Sequence, residues 1–238
     1  MTNTTEVNKD VVQALFEAGS HFGYTKSKRH PSTSKYIFGT KEKVDIFDLE
    51  KVSVLLSDAK EFVKKLASEG KNVLFVGGKR EVLRIIKDSA IKIEQPYVSG
   101  RWIGGTLTNF EEIQKRTSRY EDIIDQKEKG LLAKYTKKER LLLDREVDKL
   151  ENRFGGIVSM KKKPAALFII DADHEEIAVL EAKKIGIPVI SLCSSDCNIK
   201  NIDYPIVAND SSVKSISYIV NEILASYEEG IRDKKVSE

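Results

Sequence analysis

Cysteine, proline and tryptophan are scarce in this chain, which has 2, 5 and 1 of them in 238 residues. The cysteines, Cys193 and Cys197, cannot staple a fold of this length. A CxxxC pair with no second pair is also a poor zinc signal, so they read as reduced thiols of a cytosolic protein. No apolar run reaches the roughly 18–20 residues that cross a bilayer. Met1 to Asp10 lack the apolar centre of a signal peptide. Neither a membrane partner nor secretion is therefore expected. A dominant charge is missing too, because 40 Lys+Arg face 37 Asp+Glu, a net of +3. Any polyanionic partner must be argued from where the charges lie.

What is present is an alternation of helical and strand patterns. Residues 8–19 read as a short helix with Val11, Val12, Leu15 and Phe16 on one face and Gly19 at its end. An irregular stretch, 20–43, follows. Asp48 suits the cap of a helix to about Ser68, closed by Gly70. Val73–Val76 reads as a strand, followed by a helix over 79–90. Ala165–Ile170 reads as a buried strand, 175–185 as a helix stopped by Gly186, and 187–192 and 204–207 as further strands. Asn209 or Asp210 caps the last helix. Strands apolar on both faces that alternate with helices imply a parallel sheet covered on both sides. The expected fold is α/β, Rossmann-like or flavodoxin-like, with a body over 8–109 and 155–230. The termini, 1–7 and 231–238, read as flexible.

Residues 110–154 differ. They hold 12 Lys+Arg, 11 Asp+Glu and no strand-like run. Phe110, Ile113, Thr117, Tyr120 and Ile124 recur at coiled-coil spacing, as do Leu143, Val147, Leu150 and Phe154. Gly130 breaks the run, and Thr136 with Glu139 forms a capping box. This is an antiparallel helical hairpin inserted into the body.

Four stretches carry chemical potential. Lys26, Lys28, Arg29, Lys35 and Lys41 lie in a segment without a single acid, interleaved with His30, Tyr36 and Phe38. Such a segment neutralises phosphates, or is simply a solvated basic loop. Gly77–Gly78–Lys79–Arg80 joins a strand to a helix, where α/β proteins bind phosphate. Its spacing matches neither nucleotide fingerprint, so a nucleotide site ranks behind RNA phosphate contact and a plain turn. Asp171–Ala172–Asp173–His174–Glu175 sits at a strand's carboxyl end and suits metal or acid–base work, or, with Asp173 as an N-cap, mere helix capping. Arg101–Trp102–Ile103–Gly104–Gly105 allows close backbone approach to a phosphate, or is a hinge with Trp102 packed beneath it.

Taken in order, several segments resemble one family. They include Ala18–Gly19–Ser20–His21–Phe22–Gly23, Tyr36–Ile37–Phe38–Gly39, Leu74–Phe75–Val76–Gly77, Arg101 through Phe110, Leu150 through Ile157, Ile170 through Glu175 and Gly186–Ile187–Pro188–Val189. Across roughly 8–230 the chain is similar to family S-two of the bacterial small-subunit ribosomal proteins. That resemblance implies a Rossmann-like body with a protruding hairpin, and binding to small-subunit ribosomal RNA at the head–body junction. It also implies a part in docking the largest small-subunit protein, which handles messenger RNA. It implies no catalysis, cofactor, metal or small-molecule substrate, and a ribosome-bound cytoplasmic location. The RNA-facing residues expected on this reading are Lys26, Lys28, Arg29, His30, Lys35, Lys41, Lys79, Arg80, Arg101, Trp102, Lys161 and Lys162. Tyr24 stands where the family often has a second His, and Cys193–Asn201 lacks the family's acidic run. An enzyme using Lys79 for phosphate and Asp171, Asp173 and His174 for chemistry is the first rival; a scaffold acting through the hairpin is the second.

Overall fold

The computed structural model describes residues 9–237. Its centre is a five-stranded parallel sheet of β4 (Val73–Gly77), β5 (Tyr97–Ser99), β6 (Ala166–Ile170), β7 (Val189–Cys193) and β8 (Tyr204–Val207), in the order β5-β4-β6-β7-β8. Renumbered within the sheet this is 2-1-3-4-5, the flavodoxin-like doubly wound order. Every residue of β4, β6 and β7 is buried, so both faces of the sheet are covered. Phe75 and Phe168 are register partners whose rings lie 5.4 Å apart.

Helices α2 (Leu49–Ser68), α3 (Arg80–Lys92) and α7 (Val213–Ser237) pack side by side, and α6 (Glu176–Ile185) follows β6. The local signals act as the sequence suggests. Asp48 accepts the Lys51 N–H at 3.5 Å, Asn209 accepts from Ser211 and Ser212, and Gly70 and Gly186 close helices with φ of 68° and 74°. In α1 (Lys9–Glu17) Leu15 is buried but Phe16 is exposed and stacked on His21. The last helix continues past residue 230 to Ser237; residues 1–7 lie outside the described residues.

The stretch read as irregular, together with the four residues after it, forms a second, antiparallel sheet. Strands β1 (Phe22–Thr25), β2 (Ile37–Lys41) and β3 (Val44–Phe47) pair in the order β1-β3-β2. Each has only four or five residues, both pairings shift register, and β1 is nowhere fully buried. No run of alternating burial long enough to read was therefore present.

Helices α4 (Phe110–Glu128) and α5 (Lys137–Phe154) are joined by the turn Leu131–Lys134, with Gly130 at φ 69°. Ion pairs Arg119–Glu146 and Lys127–Asp144 match an antiparallel course. The Thr136–Glu139 capping box is formed, and the buried stripe uses Ile123, not Ile124. At the base of α5 a Cβ on Gly156 would stand 2.2 Å from the Tyr97 carbonyl oxygen and 2.7 Å from its ring. Backbone cannot yield as a side-chain end can. Gly156→Ala is therefore expected to lower stability by about 1–3 kcal/mol, read as a lower urea midpoint at unchanged slope; an unaltered midpoint would show that this root can shift.

Candidate nucleic-acid interface

The acid-free segment lies on and around the small sheet. Lys26, Lys28, Lys35 and Lys41 are exposed, and none is in an ion pair among the described residues. Lys28 stands 5.6 Å from the centre of the Tyr24 ring and Lys35 4.8 Å from that of Tyr36, cation–π distances that keep the ammonium groups at the surface. Phe38 is 81% exposed between them.

Two members of the segment are spent internally. Arg29, expected to face RNA, instead forks onto both carboxylate oxygens of Asp45, with its Nε donating at 2.7 Å and a third bond to Thr40 at 3.0 Å. Asp45 is fully buried in β3, and a buried carboxylate needs a paired charge. The Arg29 hydrogen bonds outweigh burial and hold its pKa below the usual range. His30, also expected at the RNA, is half-buried, and its Nδ1 accepts the Ser32 N–H at 3.2 Å to cap the turn Pro31–Tyr36.

What holds the segment in place comes from the far end of the chain. The Ser195 carbonyl accepts the His30 N–H and the Thr33 hydroxyl, each at 2.8 Å, and the Ser195 hydroxyl accepts the Tyr24 N–H at 2.9 Å. Ser32 Oγ accepts the Ile199 N–H at 3.2 Å. The loop after β7, which had no assigned contact, is thus the anchor of the basic segment.

The Arg101–Trp102 turn resolves in favour of packing for one residue and exposure for the other. Arg101 is exposed, but Trp102 is 5% exposed and donates its indole N–H to Glu181 Oε1 at 3.3 Å. Trp102 is therefore removed from the RNA-facing set: an indole packed under its own loop cannot stack on a base. Glu181, on α6, is the residue that sequence reasoning missed. Its carboxylate accepts the N–H groups of Gly105, Leu107 and Thr108 at 2.6, 3.0 and 3.1 Å, together with the Thr108 hydroxyl at 3.1 Å. An acid on the inward face of a helix was the available signal.

The end of β4 carries an internally paired charge cluster. Lys79 Nζ lies 2.6 Å from Asp171 and 2.8 Å from Asp210. Burial disfavours its charge, but the two carboxylates more than offset this and raise its pKa. Lys79 is therefore withdrawn from the phosphate-binding set; adjacent Arg80 is exposed. Asp171, at φ 65°, also accepts the N–H groups of Asp173 and His174 at 3.1 Å. Asp171 thus closes the turn before α6, and Asp173 does not cap that helix, whose N-cap position is Glu175 with no side-chain cap bond. The buried Glu175 accepts from His174 Nδ1 at 2.8 Å, and a Cβ on Gly78 would meet its Oε1 at 2.3 Å. At the position where open α/β sheets hold a ligand, Lys79, Asp171 and Asp210 pair among themselves. Beside them Gly78, Arg101, Trp102, His174, Glu175 and Ile177 line a cavity of about 400 Å³. Among the described residues, no group of three or more His, Cys, Asp or Glu is placed to hold a metal ion. Beyond the hairpin, Lys161 is exposed but paired with Glu121 at 3.1 Å, and Lys162 is exposed.

Residues 15–230 match the family described as Ribosomal protein S2. The chain belongs to the ribosomal protein S2 family. It is 43% identical over 217 residues to small ribosomal subunit protein uS2 of Hahella chejuensis, covering 91% of this chain and 86% of that protein. To the protein of the same name from Sulfurimonas denitrificans it is 43% identical over 216 residues, or 91% and 83% of the two chains. To that from Salinibacter ruber it is 39% identical over 225 residues, or 94% and 70%. In this S2 chain the Tyr24 hydroxyl bonds Ser211 Oγ at 2.9 Å. Its Cys193 and Cys197 are buried free thiols with sulfurs 3.3 Å apart. Their hydrogen bond and burial raise the Cys197 pKa, so they serve as packing groups.

Proposed function

We propose that this S2 chain is a structural constituent of the small ribosomal subunit that binds small-subunit ribosomal RNA through its basic segment. The observation that carries this reading is the set Lys26, Lys28, Lys35 and Lys41: exposed, without ion pairs among the described residues, and held on a loop that the body pre-shapes. Arg80, Arg101 and Lys162 extend the exposed cationic surface, with Lys161 available once it leaves Glu121. The hairpin serves as an arm toward neighbouring ribosomal proteins, and the docking of the large messenger-RNA-handling protein belongs to this proposal. So do ribosome-bound location and the lack of a catalytic role, which the internal pairing of Lys79, Asp171, His174 and Glu175 supports. No helix among the described residues is long and apolar enough to cross a membrane.

Replacing Lys26, Lys28 and Lys35 together with Ala should reduce the slope of log affinity against log salt by about 2–3, at about 0.7–0.9 per lost phosphate contact. Filter binding to small-subunit RNA from 50 to 300 mM salt reads this, and gradient sedimentation of a tagged copy reads incorporation. An unchanged slope would remove the segment from the interface.

A further inference from the structure

Where the hairpin joins the body, α3, the stretch from β5 to Arg101, α4 and the end of α5 form a pocket of about 230 Å³ that opens to solvent, with Lys87, Arg101 and Arg153 exposed around it. Lys87, Arg101 and Arg153 line it beside Tyr97 and Tyr120, and Glu151 is the one acid on its described wall. Along the shaft, Lys115, Arg119, Lys127 and Lys129 are paired with Glu112, Glu146, Asp144 and Asp125, while Arg116, Lys138, Arg140, Arg145 and Lys149 have no ion pair among the described residues. What sets Lys87, Arg101 and Arg153 apart is that they line one cavity. At the root, none of Lys87, Arg101 and Arg153 has an ion pair or a side-chain hydrogen bond among the described residues, although Glu151 is on the same wall.

Three like charges gathered on one small cavity repel each other, and an anion between them reverses the sign of that interaction. The walls are fixed in advance, because Gly156 is seated against the Tyr97 backbone. The Tyr120 hydroxyl, protonated at neutral pH as any tyrosine is, can donate to a guest oxygen. The cavity is smaller than typical pockets for drug-sized ligands. It suits a single tetrahedral anion with its nearest atoms, not a length of strand.

We propose that this cavity is a pocket for one phosphoryl group held jointly by Lys87, Arg101 and Arg153, filled in the assembled particle by a backbone phosphate of RNA. The RNA assignment rests on the function proposed above; the phosphoryl chemistry does not. A pocket of this kind differs measurably from three separate surface contacts. With the full chain, inorganic phosphate should shift the amide resonances of Gly155 and Gly156, and Arg153→Gln should weaken that binding about tenfold, the scale of one lost charge-assisted hydrogen bond. In RNA binding, Lys87→Gln, Arg101→Gln and Arg153→Gln combined should lower the salt slope by about 0.7–0.9, the value for one phosphate. Each single variant should already give most of that change.

A combined loss near 2–3 would mean three independent phosphates and would overturn the joint pocket. Absence of phosphate-induced shifts, with an unchanged RNA slope, would overturn it as well. Phosphate shifts with an intact RNA slope would support the pocket and make a free anion its occupant. If the unaltered chain showed no salt-dependent RNA binding, the function proposed above would fail while the phosphate titration still decided the pocket.

Discussion

Glu181→Ala is expected to destabilise the protein by about 3–5 kcal/mol, as removal of one partner from a buried charged network does. The carboxylate is 8% exposed and satisfies three backbone N–H groups, one hydroxyl and the indole of Trp102. Alanine would leave those donors facing a void. Glu181→Gln keeps the shape but turns an amide toward N–H groups and should cost less. The pH dependence has a definite sign. Burial opposes the charge, but the loop N–H groups prevail and lower the folded pKa. The stabilisation is then complete above the unfolded value of about 4.3 and is lost as pH falls through the lower folded value. Urea midpoints from pH 7 to pH 3 should show this acid-side loss in the unaltered chain and a flatter profile in Glu181→Gln. Equal profiles would sink the assignment.

Lys79→Met should cost a similar amount, about 3–5 kcal/mol, because Asp171 and Asp210 would be left buried without their shared ammonium. Burial already raises the Asp210 pKa against the pull of Lys79. With Lys79 gone that carboxyl rises further, so the penalty should shrink as pH falls through its raised value and protonation removes the charge. Adding Asp210→Asn should recover part of the loss at pH 7. The RNA salt slope of Lys79→Met should match that of the unaltered chain; a drop of about 0.7–0.9 would restore Lys79 to the phosphate-binding set.

The parallel body was legible because its strands are uniformly apolar runs set between amphipathic helices, a pattern that survives without knowledge of partners. Caps at Asp48, Thr136 and Asn209 were legible because each acts within three residues of itself. What escaped was decided by contacts distant in sequence. Arg29 and Lys79 look identical to free bases until Asp45 and Asp210 are folded against them. Trp102 reads both as a packed hinge residue and as an RNA contact until Glu181, 79 residues further along, takes its indole N–H. Composition supplied the cations of the interface; only the tertiary structure divides them into those that neutralise their own protein and those left for a partner.

The link between Ser195 and His30 also sets an order of events during synthesis. The basic segment leaves the ribosome early, but its anchor follows 162 residues after Thr33, a delay of about 8–32 s at 5–20 residues per second. Until then the hydrogen bonds to Ser195 and the bond between Asn209 and the Gly19 carbonyl cannot form. A nascent chain that ends before Ser195 can pair β1, β2 and β3 and join Arg29 to Asp45, but its basic segment lacks the hydrogen bonds that seat it on the body. The position of a single serine thus ties the seating of the basic surface to a stretch of chain made long after the lysines themselves.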